Sequence, residues 1–209
     1  MYLMIGSRTL RQYRRFSSLS DQVGKKDNFG GYDRETFIAI CERVSPFIRN
    51  VLKPKVIAVG KGTLTLELPP NEDFVGNPTV PCYHGGVAAS IIDHSGGFCA
   101  WTTIKDTSTL TSTVDLKIDY IRPAPVETLF CDAICTHQGR SLIRMYEVHD
   151  LILFIRSVDN ISSFLFSDTV LWNNDRSKKI ALGRQTMNVY KNDVKMEDKY
   201  YEAKESLGL

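Results

Sequence analysis

The chain has 209 residues, of which 43% are hydrophobic and 24% are charged, so it is long enough to bury the core of one domain. Its formal net charge of +2 gives no argument for binding to nucleic acid or to a membrane surface, and no apolar run approaches the roughly 20 residues of a membrane span. The five cysteines include no Cys-x-x-Cys pair, which is typical of a protein from a reducing compartment.

The first twenty residues have the composition of a targeting segment. They contain four arginines and several serines, and the first acidic residue is Asp21. A start that is rich in arginine and serine and poor in acids is typical of a mitochondrial transit peptide. We therefore expect residues 1–20 to direct the protein to the mitochondrion, with the matrix as its compartment. A basic tail without this role is the alternative.

A polar linker and an accessory helix are predicted over residues 21–54. Apolar residues recur at spacings of three and four between Asp33 and Leu52, which predicts a helix. Asp33 is a candidate N-cap, and Pro46 predicts a kink or a division into two helices. We expect this segment to close one end of the core and to take no part in chemistry.

The rest of the chain predicts one long helix with an antiparallel sheet around it. A loop rich in proline and glycine, residues 71–83, leads into a run of small and aliphatic residues, 84–101. Such a run predicts a helix that is buried on nearly every side. Together with the strands this is an α+β arrangement. The predicted strands, from alternation and turn signals, are 56–59, 63–68, 111–121, 126–136 and 141–149.

The central helix carries a single carboxylate, Asp93. Its neighbours three and four positions away are alanine, serine and two glycines, so no basic side chain of the same helix neutralises it. Burying a charge without a partner is costly. Burial alone leaves two interpretations open. Either hydrogen bonds from elsewhere satisfy a structural Asp93, or a ligand site accounts for a catalytic one.

The spacing of this motif adds a family resemblance. His84-Gly85-Gly86, with Asp93 nine positions after the histidine, resembles the hotdog-fold acyl-CoA thioesterases of the phenylacetate-degradation (PaaI) type. The resemblance continues through 111–125 and Gly139-Arg140-Ser141 and includes a closing strand near 168–172. It implies a hotdog domain over residues 55–172 and hydrolysis of an acyl-CoA to free acid and coenzyme A. It also implies a homodimer or a dimer of dimers with shared sites. No cofactor is implied, because coenzyme A is part of the substrate.

The resemblance also implies roles for individual residues. The backbone amide of Gly85 polarises the thioester carbonyl, because amides at a helix N-terminus point at a ligand. Asp93 acts as general base or as nucleophile, and the hydroxyl of Thr113 helps to place the water. His84 is expected to orient the loop before the helix, and arginine geometry suits the phosphates of coenzyme A. The substrate-binding candidates are His84, Gly86, Asn77, Arg122 and Arg140.

One physical constraint follows from the helix itself. Gly85 and Asp93 are eight residues apart and therefore about 12 Å apart along the axis, so they cannot both reach one carbonyl. A site formed across a dimer interface, with Gly85 from one chain and Asp93 from the other, removes this difficulty.

Rival interpretations of the same residues lack a necessary part. Cys82 and His84 suggest a thiol nucleophile, but no third group orients them. His84 and His94 are about 15 Å apart on a helix and cannot share one metal ion, so no metal site is predicted. Hotdog hydratases carry Asp-x-Asn-Pro-x-His, of which Gly76-Asn77-Pro78 keeps only the middle. The strongest alternative is a hotdog protein that binds acyl-CoA without turnover.

Two later stretches depart from the family pattern. Residues 150–167 stand where the family has a short loop. Three interpretations of this stretch remain open: an extra hairpin with Asp159-Asn160 as its turn, an insertion that packs on a partner, or an error in the gene model. Residues 173–209 are rich in charge, and we expect them to form a solvated tail.

Overall fold

A computed structural model describes residues 28–139, 143–148, 151–156 and 163–191, so the predicted transit peptide lies outside the described residues. No helix within these ranges is long and apolar enough to cross a membrane. The helical segments are α1 (Arg34–Arg43), a π-helical segment (Phe47–Leu52), a 3-10 turn (Glu72–Phe74) and α2 (Gly85–Trp101). The strands are β1 (Lys55–Gly60), β2 (Thr63–Leu68), β3 (Val75–Asn77), β4 (Cys82–Tyr83), β5 (Thr109–Tyr120), β6 (Leu129–Gly139), β7 (Ile143–Val148), β8 (Leu151–Arg156), β9 (Ser163–Trp172) and β10 (Lys179–Lys191).

Six strands form one antiparallel sheet in the order β1-β2-β6-β9-β10-β5. The helix α2 packs on one face of this sheet, chiefly against β6, β9 and β10. Two small sheets, β3-β4 and β7-β8, complete the described structure. The predicted α+β arrangement is confirmed, and the order of the strands leaves β1 and β5 as the edges of the main sheet.

A glycine on β10 lets α2 lie close to the sheet. Ile91 and Ile92 are fully buried in this contact, and each such side chain contributes roughly 1.5–3 kcal/mol when it leaves water. On β10, a Cβ atom at Gly183 would overlap the side chain of Ile92. The glycine therefore sets how closely this strand approaches the helix.

The accessory helix forms as its sequence signals predict. Asp33 caps α1, because its carboxylate accepts the backbone N–H of Thr36 at 2.9 Å and the Thr36 hydroxyl at 2.8 Å. The helix ends at Arg43, and Pro46 stands directly before the π-helical segment. Because proline has no N–H to continue the ladder, the predicted division into two helical pieces is confirmed.

Aromatic side chains attach α1 to the second half of α2. The ring of Phe37 lies 5.9 Å from that of Phe98 and 5.6 Å from that of Trp101, and the ring of Tyr32 lies 5.7 Å from Trp101. At Gly30, where φ is +62°, a Cβ atom would come within 2.9 Å of the Trp101 ring. The segment before α1 therefore needs glycine there to pass over the tryptophan.

The prediction that residues 173–209 form a solvated tail is wrong for residues 179–191. They form β10, which lies inside the sheet between β9 and β5 and pairs with both. Its inward positions carry Gly183 and a buried Gln185, so the strand lacks the apolar alternation by which strands are recognised. The main sheet therefore extends past the predicted domain boundary at Trp172, at least to Lys191.

Strands β7 and β8 pair antiparallel, and of the two only β8 lies within the atypical stretch 150–167. Strand β8 pairs with β7 so that Val148 lies opposite Leu151. Strand β9 begins at Ser163 and continues through the remainder of the stretch. The predicted turn at Asp159-Asn160 lies outside the described residues.

A buried histidine joins α1 to α2. The Nε2–H of His94 donates to the carbonyl oxygen of Cys41 at 2.8 Å, and the His94 ring lies 4.6 Å from that of Phe98. Burial lowers the pKa of His94 from 6.5 to about 4, although the bond to the Cys41 carbonyl opposes the shift. The imidazole is therefore neutral near pH 7.

Acidification should destabilise the fold through His94. The unfolded chain takes up this proton near pH 6.5 and the folded chain only near pH 4, so the stability is present above pH 6.5 and is lost as the pH falls toward 4. Between pH 7.5 and 4.5, the free energy of unfolding should fall by on the order of 2 kcal/mol more in the wild type than in His94→Gln, which does not titrate. Urea unfolding at both pH values measures this difference, and equal losses in the two proteins would contradict it.

Candidate functional site

Two neutral donors hold the half-buried carboxylate of Asp93. The hydroxyl of Thr113 on β5 donates to Asp93 Oδ1 at 2.8 Å, and the side-chain amide of Gln185 on β10 donates to the same oxygen. The Gln185 Nε2 atom also lies 2.9 Å from Thr113 Oγ1 and 3.2 Å from the backbone oxygen of Asp93. Within the described ranges no Lys or Arg forms a salt bridge with Asp93. The carboxylate is thus held by dipoles rather than by an opposite charge.

Thr113 stands in a position that strand geometry explains. Strand β5 has an irregularity opposite Thr186 and Met187, and beyond it the inward side of the strand carries Thr113. Its single hydroxyl hydrogen is directed at Asp93 Oδ1, while its oxygen accepts from Gln185. The structure therefore brings Thr113 and Asp93 together, and the Thr113 hydroxyl donates its hydrogen bond to the Asp93 carboxylate.

Gln185 was not among the residues predicted from the sequence. The residue stands in the stretch predicted as a tail, and it lies 92 positions from Asp93, so no local spacing links the two. The signal that was present is the short alternation of Ala181, Gly183, Gln185 and Met187 with larger or charged residues. Read as a strand, that alternation places a glutamine on the helix side of the sheet.

A cavity of about 250 Å³ opens beside Asp93. It lies where the second half of α2 meets the first half of β5 and the end of α1, and its wall is mainly apolar. A carboxylate at the wall of an apolar cavity is a common arrangement for a reactive group. The residues that line it are Val44, Asp93, His94, Gly97, Phe98, Trp101, Leu110, Thr111, Thr113 and Met187.

The glycine pair lies at the other end of the same helix. His84 is the N-cap of α2, and its Nδ1 accepts the N–H of Gly86 at 3.0 Å. The hydroxyl of Tyr120 donates to the carbonyl oxygen of Gly85 at 3.0 Å. His84 thus orders the start of the helix, and its ring engages the N–H of Gly86. Among the bonds of the described residues, none uses the N–H of Gly85.

The remaining substrate-binding candidates lie away from the cavity. Asn77 is exposed, and its Oδ1 accepts the N–H and the hydroxyl of Thr79 at 3.0 and 2.7 Å, which closes the turn after β3. Arg122 is exposed and donates from Nη1 to the carbonyl oxygen of Lys179 at 2.9 Å. Arg140 lies outside the described residues. In the described part of the chain, no three His, Cys, Asp or Glu residues are grouped so that they could hold a metal ion.

Comparisons with known proteins agree with this architecture. Residues 83–150 match the thioesterase superfamily. A candidate esterase from Halobacterium salinarum is 27% identical over 134 residues, which cover 63% of this chain and 77% of that protein.

Solved structures of thioesterases share the fold. A thioesterase from Haemophilus influenzae superposes with a TM-score of 0.57 at 14% identity and covers 78% of this chain and 94% of its own. The PaaI protein from the phenylacetic acid degradation operon of E. coli gives 0.51 at 17% identity and covers 68% and 83%. At these identities the structures establish the fold, while the sequence matches support thioesterase activity in general. The chain has the hotdog fold, and its residues 83–150 are similar to the thioesterase superfamily.

Proposed function

We propose that the protein is an acyl-CoA thioesterase, which hydrolyses an acyl-CoA to the free acid and coenzyme A. The observation that carries this proposal is the Asp93 carboxylate, which is held through Oδ1 at the wall of an apolar cavity. The cavity suits an acyl group, because apolar walls accept hydrocarbon and exclude competing water. Neither the carboxylate nor its two donors needs a metal, and coenzyme A enters only as part of the substrate.

The carboxylate supports two chemical routes. As a general base it takes a proton from water, the water oxygen attacks the thioester carbon, the C–S bond breaks, and the proton passes to the departing thiolate. As a nucleophile it attacks the same carbon and releases coenzyme A, after which water hydrolyses the mixed anhydride. Both routes develop negative charge on the thioester oxygen, so both need a hydrogen-bond donor there.

The N–H of Gly85 is the proposed donor to that oxygen, and it has to come from a second subunit. Strand β5 is an edge of the sheet, with Val114 and Tyr120 exposed by 47% and 56%. Antiparallel pairing of two β5 strands about a two-fold axis at Lys117, with the irregularity at Val114 retained, would set Tyr120 of each copy beside Thr113 of the other and keep the inward residues on one face. Because Tyr120 contacts Gly85 and Thr113 contacts Asp93 within one chain, this pairing would bring Gly85 of one copy toward Asp93 of the other.

The peripheral parts of the proposal rest on sequence. We place the protein in the mitochondrial matrix on the composition of residues 1–20. Arg122 follows Tyr120 by two residues, at the end of α2 that carries Gly85, which makes it the described candidate for the phosphates of coenzyme A. A homodimer is the minimal unit, and pairing of dimers is compatible with the same site.

Replacing the carboxylate should abolish turnover and leave the fold intact. In Asp93→Asn the side-chain oxygen still accepts from Thr113 and Gln185, so the melting temperature should stay close to that of the wild type. The value of kcat should fall by on the order of 10²-fold or more, with KM nearly unchanged. Free-thiol release from short, medium, long and aromatic acyl-CoAs measures both values.

The same assay separates the enzyme from its alternative. If the wild type binds the acyl-CoAs and releases no thiol from any of them, the protein is a non-catalytic acyl-CoA-binding member of the superfamily. If Asp93→Asn folds and keeps full activity, Asp93 is not the reactive group.

A second experiment removes the Gly85 amide alone. Proline is tolerated at the first position of a helix, and the backbone of His84, with φ −60° and ψ 139°, suits a residue before proline. Gly85→Pro should therefore fold and lose on the order of 10²-fold in kcat. Gly85→Ala keeps the N–H, and its Cβ meets the Tyr120 ring at an ordinary 3.5 Å, so this control should remain active.

Mixed dimers then test whether the site is shared. A dimer of one Gly85→Pro chain and one Asp93→Asn chain contains one intact pair, with Gly85 from the second chain and Asp93 from the first. Two differently tagged chains, purified together, should show about half of the wild-type activity. Inactive mixed dimers would place both groups of a site in one chain.

The location has its own test. Residues 1–20 fused to a fluorescent protein should direct it to mitochondria, and replacing the four arginines by glutamine should leave it in the cytosol, because import presequences depend on positive charge. A fusion that stays in the cytosol with its arginines intact would refute the targeting role.

A further inference from the structure

Gln185 is a polar side chain buried within the core. It is 1% exposed and lies on the helix side of β10. Its two amide hydrogens face three acceptors: Oδ1 of Asp93, the backbone oxygen of Asp93 and Oγ1 of Thr113. Burying an amide is costly unless such partners are present. A glutamine at this position therefore needs an explanation other than packing, because an apolar side chain would fill the same space at a lower cost in free energy.

The helix leaves space for this amide. A Cβ atom at Gly96 would overlap Oε1 of Gln185 and lie 2.7 Å from the hydroxyl oxygen of Ser167. The Ser167 hydroxyl in turn donates to Gln185 Oε1 at 3.5 Å. Residues from α2, β9 and β10 thus shape one narrow slot, and only the amide reaches through it to Asp93.

The hydrogen-bond partners fix which way the amide faces. With Nε2 toward Asp93 and Thr113, the N–H groups meet a carboxylate and a hydroxyl oxygen. The reversed amide would set its own oxygen against the carboxylate and leave both N–H groups toward Ser167. The described bonds to the carboxylate all end on Oδ1, and no donor in the described ranges reaches Oδ2.

We propose that Gln185 is a positioning residue of the site, which fixes the Asp93 carboxylate through Oδ1 so that Oδ2 is the oxygen that acts on water or on the thioester. The reactive role of Oδ2 rests on the proposed function, while the hold on the carboxylate does not. Thr113 completes a closed triangle with the other two side chains. The carboxylate is therefore set in one orientation before a substrate arrives.

Few other charged groups face this carboxylate. His94 is the other titratable residue that lines the cavity, and its ring is directed at Cys41 of α1. On β9 and β10, Asp168 and Arg184 pair with each other at 3.4 Å on the opposite face of the sheet. On β5 the nearest charged residues are Asp115 and Lys117, which alternate with the inward Leu116. The titration of Asp93 should thus report chiefly on its two neutral donors.

The test follows the Asp93 carboxyl carbon by NMR in ¹³C-aspartate-labelled protein, with its signal assigned by its loss in Asp93→Asn. Gln185→Met keeps an unbranched side chain and removes both N–H donors. Because those donors favour the charged carboxylate, its titration midpoint should rise by on the order of one pH unit. The acidic side of the pH profile of kcat, called here the acid limb, should shift by the same amount. The value of kcat should fall about tenfold, and KM should stay within twofold of the wild-type value.

Thr169→Val is the matched control. The Thr169 hydroxyl is 2% exposed, makes no hydrogen bond among the described residues and lies on the neighbouring strand. Its removal should alter neither the titration of Asp93 nor the acid limb. If Gln185→Met behaves like this control, Gln185 is only a packing residue and the proposal is wrong.

Two further variants keep the proposal testable if Gln185→Met does not fold. Gln185→Glu retains the shape and sets a second carboxyl group against Asp93, so the pair should share a proton, with one midpoint raised by more than about one unit. Gly96→Ala should displace the amide and reproduce the higher Asp93 midpoint. The adjacent Gly97→Ala, whose Cβ meets only the flexible end of Met187 at 3.3 Å, should not. A wild-type midpoint in both Gln185→Glu and Gly96→Ala would overturn the proposal.

These outcomes are separate from those of the proposed function. A wild type that releases no thiol would refute the thioesterase, while a raised midpoint in Gln185→Met would still establish the hold on Asp93. An active wild type with an unchanged midpoint in Gln185→Met would refute the role of Gln185 alone.

Discussion

A carboxylate on the helix that fills the core is the constraint on which the rest of the site depends. Asp93 is surrounded along α2 by small and apolar residues, so its charge has to be satisfied from the sheet. Two strands supply the donors, β5 through Thr113 and β10 through Gln185. Both strands must therefore lie beside the helix and beside each other, as the observed sheet order places them.

Much of the fold could be predicted because its local signals agree with one another. The buried helix, the β1-β2 hairpin, the cap at Asp33 and the break at Pro46 each follow from a short pattern. Strand β10 could not be predicted in this way. Its inward positions carry Gly183, which allows close approach to Ile92, and Gln185, which serves Asp93. The contacts that make the strand necessary also remove the apolar alternation that would have revealed it.

The candidate site was predictable to a similar degree. The family resemblance of the motif that begins at His84 indicates Asp93 and Gly85, and it adds Thr113 on the following strand. A glutamine 92 residues away carries no such signal, because its role comes from strand order, which the sequence does not state. Asn77 stays a prediction. The family resemblance suggested it as a carbonyl-binding residue of the loop, and in the structure its oxygen accepts from Thr79 within its own turn.

The cavity and the accessory helix α1 also contact the same side chains of α2. Phe98 and Trp101 contribute to the cavity wall and at the same time contact the ring of Phe37 on α1. Val44, which follows α1, closes the same cavity. Because protein interiors are packed as densely as organic crystals, a change of volume at Phe37 is transmitted through these two rings to the cavity. The accessory helix thus contributes to the shape of the proposed acyl site, although it supplies no reactive group to it.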